Sequence, residues 1–258
     1  RGVSPVVKHL HFIQTLTNVL IVALRNRQLT EQSIKQEAAR RELELAAEMQ
    51  AMLVPEGWPE DPDVEIKAHY KPHQEVGGDY YDVFPVDDRR LAFCMADVSG
   101  KGVSAAFLMS NFQANLRAIF QYEPDDLEGA IRKLNERVME NAQGEKYITL
   151  FAAIYDRKSR KLSYVNCGHN PPVLMEPDGR AKQLSLGSVG LGMFREIPSV
   201  QSGSAQVQPG SFLVCYTDGL VEQENMQGIP YGMTRMENLL KTHRGMGPQE
   251  IVNALLEA

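Results

Sequence analysis

The chain has 258 residues, a formal net charge of −6 at pH 7 and a hydrophobic fraction of 43%, which predicts one full domain with a core of its own plus an additional segment. This mildly negative net charge gives no electrostatic reason to expect nucleic-acid binding. The three cysteines are far apart, lie in strand-like runs and form no CxxC pair, which argues against a zinc site and favours reduced, buried thiols in a cytoplasmic protein. Because the sequence begins at Arg1 rather than Met, we expect a fragment of a longer protein.

The N-terminal region predicts a long helix. The apolar run at residues 9–24 is too short to span a bilayer and is interrupted by polar residues, so no membrane segment is expected. Residues 25–53 contain neither Gly nor Pro, and Pro55 ends the pattern, which indicates one helix or two in sequence. Its heptad seam carries several polar residues, so the helix either packs on its own domain or forms a weak coiled coil. We expect residues 1–54 to be a helical linker that forms a homodimer.

Strand patterns dominate after Pro59, with two helical patterns at 103–120 and 125–141. The helices are grouped rather than alternating with every strand, and several turns are short, which favours antiparallel pairing over a doubly wound parallel sheet. The sequence therefore predicts an α+β fold, an antiparallel β-sandwich flanked by helices. The predicted strands are 64–71, 80–86, 91–97, 147–155, 161–167, 173–176, 201–207 and 212–217.

Three acidic residues lie at the ends of predicted strands, within three residues of a glycine: Asp79, Asp97 and Asp218. A single Asp beside a Gly is usually a turn residue. Here a turn at residues 87–88 would join two antiparallel strands and bring Asp79 and Asp97 to the same sheet end, and the run SFLVCYTD ends on Asp218. Clustered carboxylates are the ligands that hard divalent cations prefer, so these three residues predict a metal site.

Four motifs in this order carry a resemblance to a known family: GGDYYD at 77–82, ADVSGKGVSAA at 96–106, CGHNPP at 167–172 and YTDGLVE at 216–222. Together they resemble the RsbU and SpoIIE-like bacterial serine phosphatases of the metal-dependent PPM (PP2C) family. The resemblance extends over about residues 41–258. Residues 15–29 also resemble, more weakly, the closing helix of a GAF sensor domain.

The resemblance implies a cytosolic enzyme that removes phosphate from serine or threonine of a partner protein, usually a small STAS-domain anti-sigma-factor antagonist. It implies two cations, Mn²⁺ or Mg²⁺, and attack by a metal-activated water. Carried over by motif position, Asp97 would bridge both cations and Asp79 would hold the second. Asp218 and the main-chain carbonyl of Val98 would hold the first. Two ions sharing a ligand supply both a nucleophile and charge neutralisation for phosphate hydrolysis.

Two departures from the family pattern bear on activity. Ser99 stands where many relatives have a histidine that serves as a general acid, and the chain stops at Ala258 before any further metal-binding Asp. We therefore expect residues 55–258 to be a phosphatase domain truncated at its C-terminus. The alternative is a non-catalytic, dimeric regulatory module with an incomplete metal site. His169, within CGHNPP, is more typical of a loop residue than of a catalytic one.

Overall fold

The computed structural model describes residues 5–55, 57–58, 61, 63–71, 77–100 and 102–258, with side chains from residue 12 onward. Two compact units emerge, Arg1–Leu45 and Ala46–Ala258. The helices are α1 (Pro5–Ala51), α2 (Val103–Tyr122), α3 (Leu127–Ala142), α4 (Asp218–Val221), α5 (Met233–Thr242) and α6 (Pro248–Glu257). The strands are β1 (Asp79–Pro85), β2 (Arg90–Val98), β3 (Ile148–Asp156), β4 (Lys161–Cys167), β5 (Val173–Met175), β6 (Ala181–Gln183), β7 (Gly187–Ser188), β8 (Gly203–Gln206) and β9 (Phe212–Val214).

The first unit is a single helical stretch. Helix α1 runs for 47 residues without a break, as the absence of Gly and Pro after Pro5 favours. Ion pairs one turn apart line its surface, including Arg27 with Glu31 and Arg40 with Glu44. No helix among the described residues combines the length and the apolar character that crossing a membrane requires.

The strands form two sheets. The larger has the order β1-β2-β3-β4-β7, with β8 also paired to β4, and the smaller has the order β6-β5-β9. Among the strands of the described residues, every pairing is antiparallel except the two-residue contact between β4 and β7. The predicted α+β class, an antiparallel sandwich flanked by helices and preceded by a long helix, is confirmed.

The central strand β3 shows why the layers stack as they do. Leu150, Ala152 and Ile154 belong to a core shared with α2 and α3, whereas Phe151 and Ala153 belong to the core on the other face of the sheet. Both faces are covered, so the strand is apolar throughout rather than alternating. A third core joins the outer face of the smaller sheet to α5 and α6. The resulting order is helices, large sheet, small sheet, helices.

One predicted strand is wrong. Residues 64–71 have no ladder partner among the residues that the structure describes and are assigned no strand. Val64, Ile66 and Tyr70 are half-buried and the other residues of the segment, Ala68 included, are exposed, because one side of the segment lies along a cleft. A half-buried extended chain does not by itself supply a neighbour for pairing. The short strands β6 and β7 and the helices α4 to α6 were not predicted.

Candidate metal centre

The hairpin of β1 and β2 places two of the three predicted acids opposite each other. Asp79, the first residue of β1, pairs in register with Asp97, the penultimate residue of β2. The turn between the strands is closed by Asp87, whose carboxylate accepts from the main-chain nitrogens of Arg89 and Arg90 at 2.9 and 2.7 Å. The hairpin turn at one end therefore fixes which carboxylates meet at the other end.

A glycine at the site lets the main chain pass close to the predicted ligands. A Cβ on Gly78 would lie 2.5 Å from Asp97 Oδ1 and 2.7 Å from the carbonyl oxygen of Val98. Both oxygens are predicted ligands, and both flank the small space that the missing side chain leaves. The main-chain nitrogen of Val98 also donates to the Gly78 carbonyl at 3.0 Å, which holds the two segments in this arrangement.

Asp218, the third predicted acid, follows a strand of the smaller sheet. Strand β9 continues through Tyr216 and Thr217 into α4, whose first residue is Asp218. The hydroxyl of Thr217 donates to Asp79 Oδ2 at 3.1 Å. This contact joins the two sheets at the site and brings the chain carrying Asp218 beside the hairpin of Asp79 and Asp97.

The carboxylates influence one another through their charges. Burial, with the charges of Asp79 and Asp218 acting in the same direction, raises the pKa of Asp97 to about 6. Burial also raises the pKa of Asp79; the Thr217 hydrogen bond opposes this and the Asp218 charge adds to it. Neighbouring carboxylates in a partly buried site disfavour joint ionisation, and a bound cation reverses that effect.

The donor set fits a hard divalent cation. All the predicted ligand atoms are carboxylate or carbonyl oxygens, which suit Mg²⁺ and Mn²⁺. Within the described part of the chain, no three His, Cys, Asp or Glu side chains converge closely enough to enclose an ion as they stand. Asp79, Asp97 and Asp218 are coupled through their charges, and a cation between them would offset the repulsion that keeps like charges apart.

The loop after β2 makes the sharp turn that its glycines predict. Gly100 and Gly102 both have φ of 86°, a region that favours glycine. Ser99 is fixed on both sides, because its main-chain nitrogen donates to the Tyr147 carbonyl at 2.9 Å and its Oγ accepts from the Tyr147 nitrogen at 2.8 Å. Lys101 lies outside the described residues.

The site opens into a cleft of about 2290 Å³ within the second unit. Asp79, Asp97 and Asp218 line it together with aromatic residues that include Trp58, Tyr70 and Tyr81. Tyr81 is in contact with both of the others, with ring centroids 5.8 Å from Trp58 and 6.3 Å from Tyr70. The cleft is larger than the roughly 300–1,000 Å³ that is typical of small-molecule pockets.

Two residues inside the motifs have environments that the sequence did not reveal. Asp82 of GGDYYD is fully buried and accepts hydrogen bonds from Tyr80 and Arg117, so it belongs to the packing of β1 against α2. His169 lies in a loop after β4, as its motif predicts, but it is only 5% exposed. Neither burial could be found from spacing, because each depends on elements distant in sequence.

The comparisons with known proteins agree with this architecture. The family model of stage II sporulation protein E (SpoIIE) matches residues 87–258. Protein IcfG of Synechocystis sp. is 28% identical over 239 residues, which cover 82% of this chain and 37% of IcfG. The phosphoserine phosphatase RsbU of Bacillus subtilis is 26% identical over 259 residues, 96% of this chain and 73% of RsbU. The SiaA-PP2C domain of Pseudomonas aeruginosa superposes with a TM-score of 0.67 at 16% identity, covering 86% of this chain and 89% of that domain.

Proposed function

The chain belongs to the SpoIIE family, and from that premise we propose that it is a metal-dependent protein serine/threonine phosphatase. The observation that carries the proposal is the Thr217 hydrogen bond to Asp79, since it brings a carboxylate from one sheet to the pair of carboxylates on the other. A family match without this contact between the sheets would support the fold but not the reaction.

The proposed ligands are those that the family motifs predict. Asp97 would bridge two cations, Asp79 would hold one of them, and Asp218 with the carbonyl of Val98 would hold the other. Bound there, Mn²⁺ or Mg²⁺ would lower the pKa of a water and neutralise charge on the phosphoryl group. The raised pKa values of Asp79 and Asp97 support the proposal, because strongly perturbed groups gather at functional sites.

The chain's own residues would orient these ligands. Thr217 donates to Asp79 and so selects which carboxylate oxygen remains free for a cation. The Ser99 hydroxyl oxygen accepts from the main-chain nitrogen of Tyr147, so this residue holds the loop in place. The aromatic residues of the cleft offer surface to the peptide on either side of a phosphorylated residue.

The proposed substrate is a phosphorylated STAS-domain anti-sigma-factor antagonist, as the family resemblance implies. The relatives named phosphoserine phosphatases support a phosphoprotein substrate. The test is release of phosphate from such a protein in the presence of Mn²⁺, with a parallel sample containing a chelator. Release that depends on the metal is expected; no release at any Mn²⁺ concentration would favour the non-catalytic regulatory module instead.

We also propose that residues 1–54 form a dimerisation segment for a phosphatase domain at 55–258. On α1 many large apolar side chains are more than half exposed, including Phe12, Leu16 and Leu20, and such surface is typical of an interface. The C-terminal end of the same helix is anchored differently, since Ala46 is buried. At the start of the proposed phosphatase domain, residues 56, 59, 60 and 62 lie outside the described part of the chain.

A further inference from the structure

The side chain of Lys146 packs on the loop that follows β2. Its Nζ donates to the Ser99 carbonyl oxygen at 3.3 Å. A Cβ on Gly100 would lie 2.6 Å from the same Nζ, so the ammonium group occupies space that only a glycine at this position leaves open. Lys146 is half-buried, whereas lysine side chains are mostly exposed. The ammonium group therefore lies against this loop rather than extending into solvent.

This loop adjoins the proposed metal ligands. Ser99 directly follows Val98, whose carbonyl is a proposed ligand, and the Ser99 nitrogen donates to the Tyr147 carbonyl at 2.9 Å. This bond continues the pairing of β2 with β3 beyond its last register pair and brings the residue before Tyr147, which is Lys146, to the loop. Val98, Ser99 and Gly100 line the same cleft as the three acids. The ammonium group thus contacts the wall of the cleft one residue beyond a proposed ligand.

The ammonium group of Lys146 keeps part of its donor capacity. A lysine ammonium has three N–H donors and no acceptor, and the Ser99 carbonyl takes one of them. None of the ion pairs in the described part of the chain includes Lys146. Its positive charge is therefore not balanced by a carboxylate of those residues, and two of its donors can serve an anion.

The proposed reaction brings such an anion to this part of the cleft. Asp79, Asp97 and Asp218 already lie there, and a phosphorylated serine adds a charge of about −2. With two divalent cations in place, the site would still carry an excess of about one negative charge. Lysine is a common phosphate ligand, because its ammonium acts as a compact point charge. A lysine beside the metal centre is therefore suited to balance the phosphoryl group.

We propose that Lys146 is a substrate-binding residue whose ammonium group, seated on the loop of Ser99 and Gly100, donates to a phosphoryl oxygen at the metal centre. The inference rests on the proposed function in taking a phosphorylated serine or threonine as the substrate. It assigns the positive charge to a residue outside the four family motifs, on the segment that leads into β3.

The first experiment measures binding of inorganic phosphate to the full chain by calorimetry in the presence of Mg²⁺. Lys146→Gln keeps an N–H donor for the Ser99 carbonyl but removes the charge, and Lys146→Arg keeps the charge. A hydrogen bond to a charged group corresponds to about 10–100-fold in affinity, so Lys146→Gln should lose that factor while Lys146→Arg keeps most of the wild-type affinity. The matched control is Lys182→Gln, because Lys182 also donates to a main-chain carbonyl, that of Ser204 at 3.4 Å, but lies in β6.

The second experiment separates a contact with phosphate from a role in holding the loop. Calorimetry with Mn²⁺ alone should show no loss of metal affinity in Lys146→Gln or Lys146→Met, since removing a positive charge does not weaken the binding of a nearby cation. A residue that only held the loop would give the opposite pattern. Lys146→Met would then lose Mn²⁺ affinity through the displaced Val98 carbonyl, and Lys146→Gln would behave as wild type in both titrations, which would overturn the proposal.

The outcomes distinguish this inference from the proposed function. A wild-type chain that binds no inorganic phosphate would overturn the role of Lys146, and so would unchanged phosphate affinity in Lys146→Gln. If phosphate binding depends on Lys146 but no phosphate is released from a phosphorylated STAS-domain protein with Mn²⁺, the proposed function fails and the anion contact remains. Release by wild type together with unchanged phosphate affinity in Lys146→Gln would give the reverse result.

Discussion

The buried carboxylate of Asp82 offers the clearest test of the contacts that hold β1 against α2. It accepts from the Tyr80 hydroxyl at 2.6 Å, from Arg117 Nε and Nη2 at 2.6 and 2.8 Å, and from the Val83 nitrogen at 2.9 Å. The Arg117 guanidinium also lies 5.4 Å from the centre of the Phe84 ring. Hydrogen bonding to Asp82 raises the pKa of Arg117, so the guanidinium stays charged at neutral pH.

Arg117→Met removes the charge and keeps much of the apolar stem. Breaking a buried ion pair from one side costs about 3–5 kcal/mol, because a charge is left in the interior without its partner. The Arg117 side chain is 42% exposed whereas Asp82 is wholly buried, so water can reach part of the site and the lower end, about 3 kcal/mol, is expected. For a unit of this size that loss lowers the melting temperature by about 6–12 °C.

Urea unfolding followed by circular dichroism measures the change. The matched control is Arg89→Met, because the Arg89 pair with Asp156 is more exposed and should contribute less than about 1 kcal/mol. Converting both partners, in Arg117→Met with Asp82→Asn, should recover part of the loss. A change of less than about 1 kcal/mol in Arg117→Met would refute the reasoning that an unpaired Asp82 is costly.

Three further predictions concern the helix and the buried histidine. Gln50→Leu removes both side-chain hydrogen bonds to the main chain of Gly77, at 2.8 and 2.9 Å, and should destabilise the second unit by about 2 kcal/mol, with faster hydrogen exchange at Gly77. Between pH 6.5 and 4 the unfolded chain protonates His169 and the folded chain does not. The difference in free energy of unfolding between wild type and His169→Gln should therefore shrink by roughly 3 kcal/mol as the pH falls through that window. A difference that stays constant in urea titrations would contradict this. Leu45 and Met52 are both exposed, and charged substitutions there should weaken dimerisation, as measured by sedimentation, and alter the phosphatase rate without unfolding the protein. A parent chain that sediments as a monomer would contradict the proposed dimer.

The hairpin half of the metal centre could be predicted from the sequence because its determinants are local. A turn residue, Asp87, and two runs of strand pattern suffice to pair Asp79 with Asp97. The position of Asp218 is different, since it reaches the site from a second sheet through Thr217, and no pattern within the segment says which strands it will face. The family motifs supplied that information.

Environments set by distant contacts were not predictable. The burial of His169 depends on Thr149 and the segment of Tyr216, far from it in sequence. Residues 64–71 show the reverse case, in which a good local pattern lacks a pairing partner among the described residues. Short strands such as β7, two residues long, carry too few side chains to produce a periodic signal.

The most direct test of the central claim compares phosphate release by wild type, Asp97→Asn and Asp88→Asn with Mn²⁺ and a phosphorylated STAS-domain protein. Asp97 pairs with Asp79 at the site, whereas Asp88 lies in the turn at the opposite end of the same hairpin, so the two substitutions remove the same charge from the two ends of one element. The account predicts release by wild type and Asp88→Asn, and none by Asp97→Asn, with unchanged circular dichroism in all three. Turnover retained in Asp97→Asn would contradict it.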